Sequence, residues 1–130
     1  MNQLQKSQAL YLVDEARLNL WIHEESEFTA IGGERQRPGF VQQLKYETGK
    51  SKAKPGQSEH QKLRAQDLEF FDSDGKWMQV PKMGAPGQLN HKAMLQPIGD
   101  YWESLSPGLN YWGGNFTHIY DPGHFERRER

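Results

Sequence analysis

Residues 58–71 read Ser58-Glu59-His60-Gln61-Lys62-Leu63-Arg64-Ala65-Gln66-Asp67-Leu68-Glu69-Phe70-Phe71. The second half, Ala65 to Phe71, reads as a strand, and Ser73-Asp74-Gly75-Lys76 as a hairpin turn into a further strand, Trp77 to Val80. The first half sets a histidine, His60, ahead of an acid, Asp67. On one helix these two would lie about 10.5 Å apart along the axis, and on one strand further still. A metal shared by both therefore requires the chain to fold back around residues 62–65. Asp67, flanked by Leu68, Phe70 and Phe71, reads as a ligand, because an unpaired carboxylate in apolar surroundings is costly.

Outward from this stretch the chain alternates helices with short strands. Ser7 caps a first helix with Leu10, Val13, Leu20 and Trp21 on one stripe and Asp14, Glu15 and Arg17 off it. Phe28 to Ile31 is a strand closed by Gly32-Gly33. Pro38 opens a helix with Phe40, Val41, Leu44 and Tyr46 on its apolar side, and Gly49 ends it. Residues 49–57 form a solvated basic loop containing Lys50, Lys52 and Lys54. Residues 81–90 are loop, and a helix spans most of 91–105, with Pro97 limiting its regularity. Short strands follow from Leu109, separated by Gly113-Gly114 and Pro122-Gly123, and the tail from Arg127 is a frayed polar end. Thirteen Gly and seven Pro favour a loop-rich α+β fold over a helical bundle. The expected architecture is a small antiparallel sheet with helices packed on it, in one domain over residues 1–130.

Composition removes several function classes. Sixteen Lys+Arg against seventeen Asp+Glu leave a net charge of -1, so no global basic field exists to hold nucleic acid. No run approaches the roughly 20 apolar residues of a membrane span, so stable membrane insertion is not expected. Zero cysteines exclude a disulfide framework, a thiol nucleophile and Cys-type zinc sites. Four Trp, five Tyr and six Phe supply bulky core material and argue against disorder. The first residues lack the apolar run of an export signal, so accumulation in the cytoplasm is expected.

A second segment, Asp121-Pro122-Gly123-His124-Phe125-Glu126, has the composition of a type II turn. Such a turn brings Asp121 and His124 within about 7 Å at Cα. One side chain can then bind metal while the other reaches a water beside it. Of the remaining histidines, His23, His91 and His118 read as structural or surface residues. Trp77, Tyr101 and Trp102 read as core aromatics.

Taken together these residues resemble the zinc peptidases that include D-Ala-D-Ala carboxypeptidases and dipeptidases and the phage L-alanyl-D-glutamate endopeptidases. The hedgehog signalling domain shares their fold. In the family pattern S-x-H-x-x-G-x-A-x-D, followed by a carboxylate three residues before a final His, this chain matches at Ser58, His60, Ala65, Asp67, Asp121 and His124. Leu63 stands where the family has Gly, and Asp121 where the carboxypeptidases have Glu. Gln36-Arg37-Pro38 through Gln42, Tyr46 and Gly49-Lys50-Ser51-Lys52 is similar to the family's Arg-Thr-Pro helix start and following loop. Trp112-Gly113-Gly114 resembles its Trp-Gly-Gly. The resemblance covers residues 28–126.

The resemblance implies that His60, Asp67 and His124 bind Zn2+, leaving a fourth position for water. Asp121 would be the general base. Arg37, or Arg35 if the alignment shifts by two, would face the charge of the tetrahedral intermediate or a substrate carboxylate. Ser58 would support the site or substrate, and Trp112 would wall the pocket. The implied partner is the peptidoglycan stem peptide, cut by a monomeric phage or prophage endolysin that reaches the wall after a membrane pore opens. A D-Ala-D-Ala carboxypeptidase is the enzymatic alternative, and an inactive zinc-containing recognition module the non-enzymatic one.

Overall fold

The computed structural model describes residues 1–32 and 64–129. The helix expected from Pro38, the basic loop at 49–57, and the candidate site residues Arg35, Arg37, Ser58 and His60 lie outside the described residues.

Helix α1 runs Gln3–Glu25 and begins earlier than Ser7 because Asn2 and Gln5 form a reciprocal capping box. Its buried face is Ser7, Tyr11, Asp14, Glu15, Leu18 and Ile22. Leu10, Val13 and Leu20 are exposed, so the expected stripe is wrong by a rotation of the helix. Buried partners explain the choice. Tyr11 donates to Glu15 at 2.7 Å, and Asp14 accepts from Ser106 at 2.6 Å and Asn110 at 3.0 Å. A carboxylate satisfied in this way can be buried where leucine is left out.

Four strands, β1 (Thr29–Gly32), β2 (Ala65–Phe71), β3 (Asn110–Trp112) and β4 (His124–Arg127), form one sheet in the order β1-β2-β4-β3. Every pairing is antiparallel. Helix α2, Gln88–Leu105, starts three residues before the expected span and continues through Pro97. Trp77 to Val80 is not a strand. Asp72 turns its side chain onto the N–H groups of Asp74 and Lys76, both at 2.9 Å. Pairing then stops at the single Phe71–Trp77 bridge and the Met78-to-Phe70 bond of 2.9 Å.

Alternation along β2 and β4 divides their residues between two faces. Leu68, Phe70 and Phe125 join Tyr11, Leu18, Ile22, Leu95, Ile98 and Trp102 in the core. Trp102 is its hub: its ring meets Tyr11 at 5.8 Å and Phe125 at 6.0 Å, and its indole N–H donates to the Glu126 carbonyl at 3.2 Å. The opposite face carries Asp67, His124 and Glu126. Arg127 does not belong to a frayed end: it is 3% exposed and binds Glu129 and Ser106.

Candidate metal centre

Asp67 and His124 face each other directly in the β2–β4 register. Directly opposed side chains on one face of an antiparallel pair approach closely, and here His124 Nδ1 lies 3.0 Å from Asp67 Oδ1. The turn at 121–124 brings in a second carboxylate. One ligand atom each from Asp67, Asp121 and His124 lies within 4.8 Å of the others, a spacing that can hold a metal ion.

The turn achieves this differently from the type II geometry expected. It is closed by the His124 N–H donating to the Asp121 carbonyl at 3.1 Å, but Gly123 is not among the glycines of positive φ. A type II turn requires positive φ at that position. Glycine is needed instead for close approach: a Cβ on Gly123 would collide with the Leu68 carbonyl, whose own N–H donates to the Gly123 carbonyl at 2.8 Å. The turn is thus stitched onto β2 one residue beyond Asp67.

Trp112 lies beneath this turn rather than along a pocket wall. It is 0% exposed, and its indole N–H donates to the Pro122 carbonyl at 2.8 Å. A Cβ at Gly99 or Gly114 would strike the same ring. The structure thus places Trp112, expected at the pocket wall, in the core. The Trp-Gly-Gly segment serves as a seat for the turn, with Gly113 accepting from the Asp121 N–H at 3.1 Å.

Glu126 is the site residue that spacing did not single out. Two residues beyond His124 on the same strand face, it is 5% exposed and accepts from His124 Nε2 at 2.7 Å. Arg128 hydrogen-bonds its other oxygen. The His-x-Glu alternation in β4 was the available signal. Burial works to lower the His124 pKa, but hydrogen bonds and charge from Asp67 and Glu126 outweigh it and hold the imidazole at about 10. Burial likewise works to raise Glu126, and His124 and Arg128 overcome it, leaving that carboxyl below its usual value. Carboxylate oxygens and an imidazole nitrogen at this spacing are donors that fit a divalent metal.

Beside the cluster lies a pocket of about 330 Å³. Asp67, Asp121 and Glu69 give it an acidic side, and Phe70, Met78 and Val80 an apolar one. The open segment after Trp77 supplies part of this wall. His118 and His23 are exposed, as expected, whereas His91 is buried and lines the pocket.

A family model described as D-alanyl-D-alanine carboxypeptidase matches residues 51–127, more than half of the chain. The chain belongs to this family. D-alanyl-D-alanine carboxypeptidase family members are peptidoglycan-acting metallopeptidases, typically zinc-dependent. The fold is similar to the crystal structure of Serratia marcescens L-Ala D-Glu endopeptidase ChiX, with a TM-score of 0.62 and 21% identity over 90% of this chain and 77% of that one. No curated protein matches the chain.

Proposed function

We propose that the protein is a zinc-dependent endopeptidase that cleaves the L-alanyl-D-glutamate bond of peptidoglycan stem peptides, acting as a phage or prophage endolysin. The observation that carries this reading is the convergence of Asp67, Asp121 and His124 beside a pocket. His60, Asp67 and His124 would hold the zinc. When bound, the metal supplies Lewis-acid chemistry, polarising the scissile carbonyl and making a nearby water acidic.

The chain's own groups do the rest. Asp121, at the mouth of the turn, takes the proton of the attacking water and later hands it to the leaving amine. Glu126 holds His124 by its Nε2–H, so that Nδ1 is the nitrogen turned toward Asp67 and Asp121. Arg37, or Arg35, neutralises charge developing on the carbonyl oxygen, with Ser58 in support. The apolar wall receives peptide side chains and excludes water.

The Serratia marcescens neighbour is described as an L-Ala D-Glu endopeptidase, which supports an internal cut. The family's name keeps the D-Ala-D-Ala carboxypeptidase as the second reading. An endolysin of this kind would accumulate in the host cytoplasm and meet the wall once a pore opens.

Digestion of purified sacculi followed by mass spectrometry decides between them. Fragments beginning at D-Glu are expected, and release of free D-Ala alone would establish the carboxypeptidase. Asp121→Asn should slow the reaction about 100-fold or more. Digestion at the same rate after exhaustive chelation would overturn both.

A further inference from the structure

His91 sits in the first turn of α2, with its backbone N–H on the Gly87 carbonyl at 2.9 Å. His91 is 7% exposed and is among the residues that line the pocket, with Asp67 and Asp121. One ring nitrogen is engaged: Nδ1 lies 2.5 Å from the Tyr120 hydroxyl. The other, Nε2, is buried without a hydrogen-bond partner among the described residues. Polar atoms in that state are rare in folded proteins, because a donor stranded from water costs about 1–3 kcal/mol.

Donor strength assigns the tautomer. Tyr120 is 5% exposed, and among the described residues its hydroxyl has the His91 ring as its hydrogen-bond partner. Either direction of that bond leaves one hydrogen and one lone pair over. A phenol is the stronger donor and an imidazole nitrogen the stronger acceptor, so the phenol donates to Nδ1 and the ring hydrogen sits on Nε2. Burial lowers the His91 pKa and raises that of Tyr120, so both are neutral partners at ordinary pH.

We infer that His91 is a substrate-binding residue, whose Nε2–H, set by Tyr120, donates to a backbone carbonyl of the peptide lying across Asp67 and Asp121. This rests on the peptidase reading above and adds to it a neutral donor from α2 at the pocket that Asp67 and Asp121 also line. A neutral donor suits that place, where an imidazolium would be drawn to the carboxylates and compete for the cation.

The test uses a soluble stem tetrapeptide and the metal-loaded protein. His91→Phe keeps an aromatic ring and removes both nitrogens; kcat/KM, measured well below the melting temperature of the variant, should fall about 10- to 100-fold, with metal content unchanged. His91→Gln, which restores an N–H near the Nε2 position, should recover activity to within about threefold. In ¹⁵N spectra of the Asp121→Asn protein, His91 should be a neutral Nε2–H imidazole whose Nε2 signal moves on saturation with the tetrapeptide. A folded, metal-loaded His91→Phe enzyme of normal kcat/KM overturns the assignment. So does an Nε2 signal indifferent to peptide, even if His91→Phe is impaired, since the role would then be structural. Wild-type protein that neither cleaves nor binds stem peptides removes the peptidase reading, and this assignment with it.

Discussion

His124 has a carboxylate against each ring nitrogen, Asp67 at 3.0 Å and Glu126 at 2.7 Å. Held at about 10, the metal-free imidazole is protonated at neutral pH. Ligation needs a bare nitrogen, so metal binding must expel a proton. Calorimetric titration of the chelated protein with Zn2+ at pH 7, repeated in buffers of different ionisation enthalpy, should report release of about one proton from this group. The two forms then respond oppositely to pH. A folded pKa raised above its ordinary value of 6.5 stabilises the metal-free protein fully below 6.5, and that contribution disappears as pH rises through about 10. Melting temperature after chelation should therefore fall across that window, while zinc affinity rises. Glu126→Gln keeps the size of the side chain but removes the charge that orients the ring, and zinc affinity should drop about 10- to 100-fold. Competition with a chromogenic chelator measures it; an unchanged affinity would show that Glu126 orients nothing.

Among the elements, β2 was readable to the residue, Ala65–Phe71, because a short apolar-aromatic run bounded by turn residues has few alternatives. The helix faces were less legible. Periodicity ranks residues by hydropathy, and α1 buries Asp14 and Glu15 against partners more than ninety positions away or on its own next turn. Nothing local announces those partners. The metal cluster was legible by residue type, in that Asp67, Asp121 and His124 do converge, yet the reasons for the turn were not. Gly123 invites a type II reading, while its actual role depends on the Leu68 carbonyl of a strand far away in sequence. Trp112 likewise reads as a wall until its burial is known. Gly123→Ala tests the stitch between turn and β2. The added methyl must push the turn off the strand, costing about 1–3 kcal/mol in urea unfolding. Since Asp121 and His124 flank the glycine, zinc affinity should weaken in the same variant. Trp112→Phe should cost a similar amount, about 1–3 kcal/mol, by stranding the Pro122 carbonyl.

At the scale of the whole molecule, α1 is fastened to the strands that carry the site. Arg64 donates to Ser7 at 3.0 Å, Gln66 to Asn19 at 3.1 Å, and Gln3 to Glu129 at 3.1 Å. At the centre of this seam is Asp14, 4% exposed, accepting from Ser106 and Asn110 with the Arg127 guanidinium 3.8 Å away. These partners come from the end of α2, from β3 and from β4, so one carboxylate ties the first helix to three later elements. Asp14→Ala leaves a buried arginine and two donors facing a void, and breaking such a pair costs about 3–5 kcal/mol. The midpoint of urea unfolding should fall accordingly. The metal cluster belongs to the other face of β2 and β4, which Phe125 and Leu68 separate from α1. Zinc affinity and kcat/KM per folded molecule should therefore hold at low temperature in the same variant. Parallel loss of zinc affinity in fully folded Asp14→Ala protein would mean that the α1 seam and the metal centre are one cooperative unit, rather than a site resting on an independently secured scaffold.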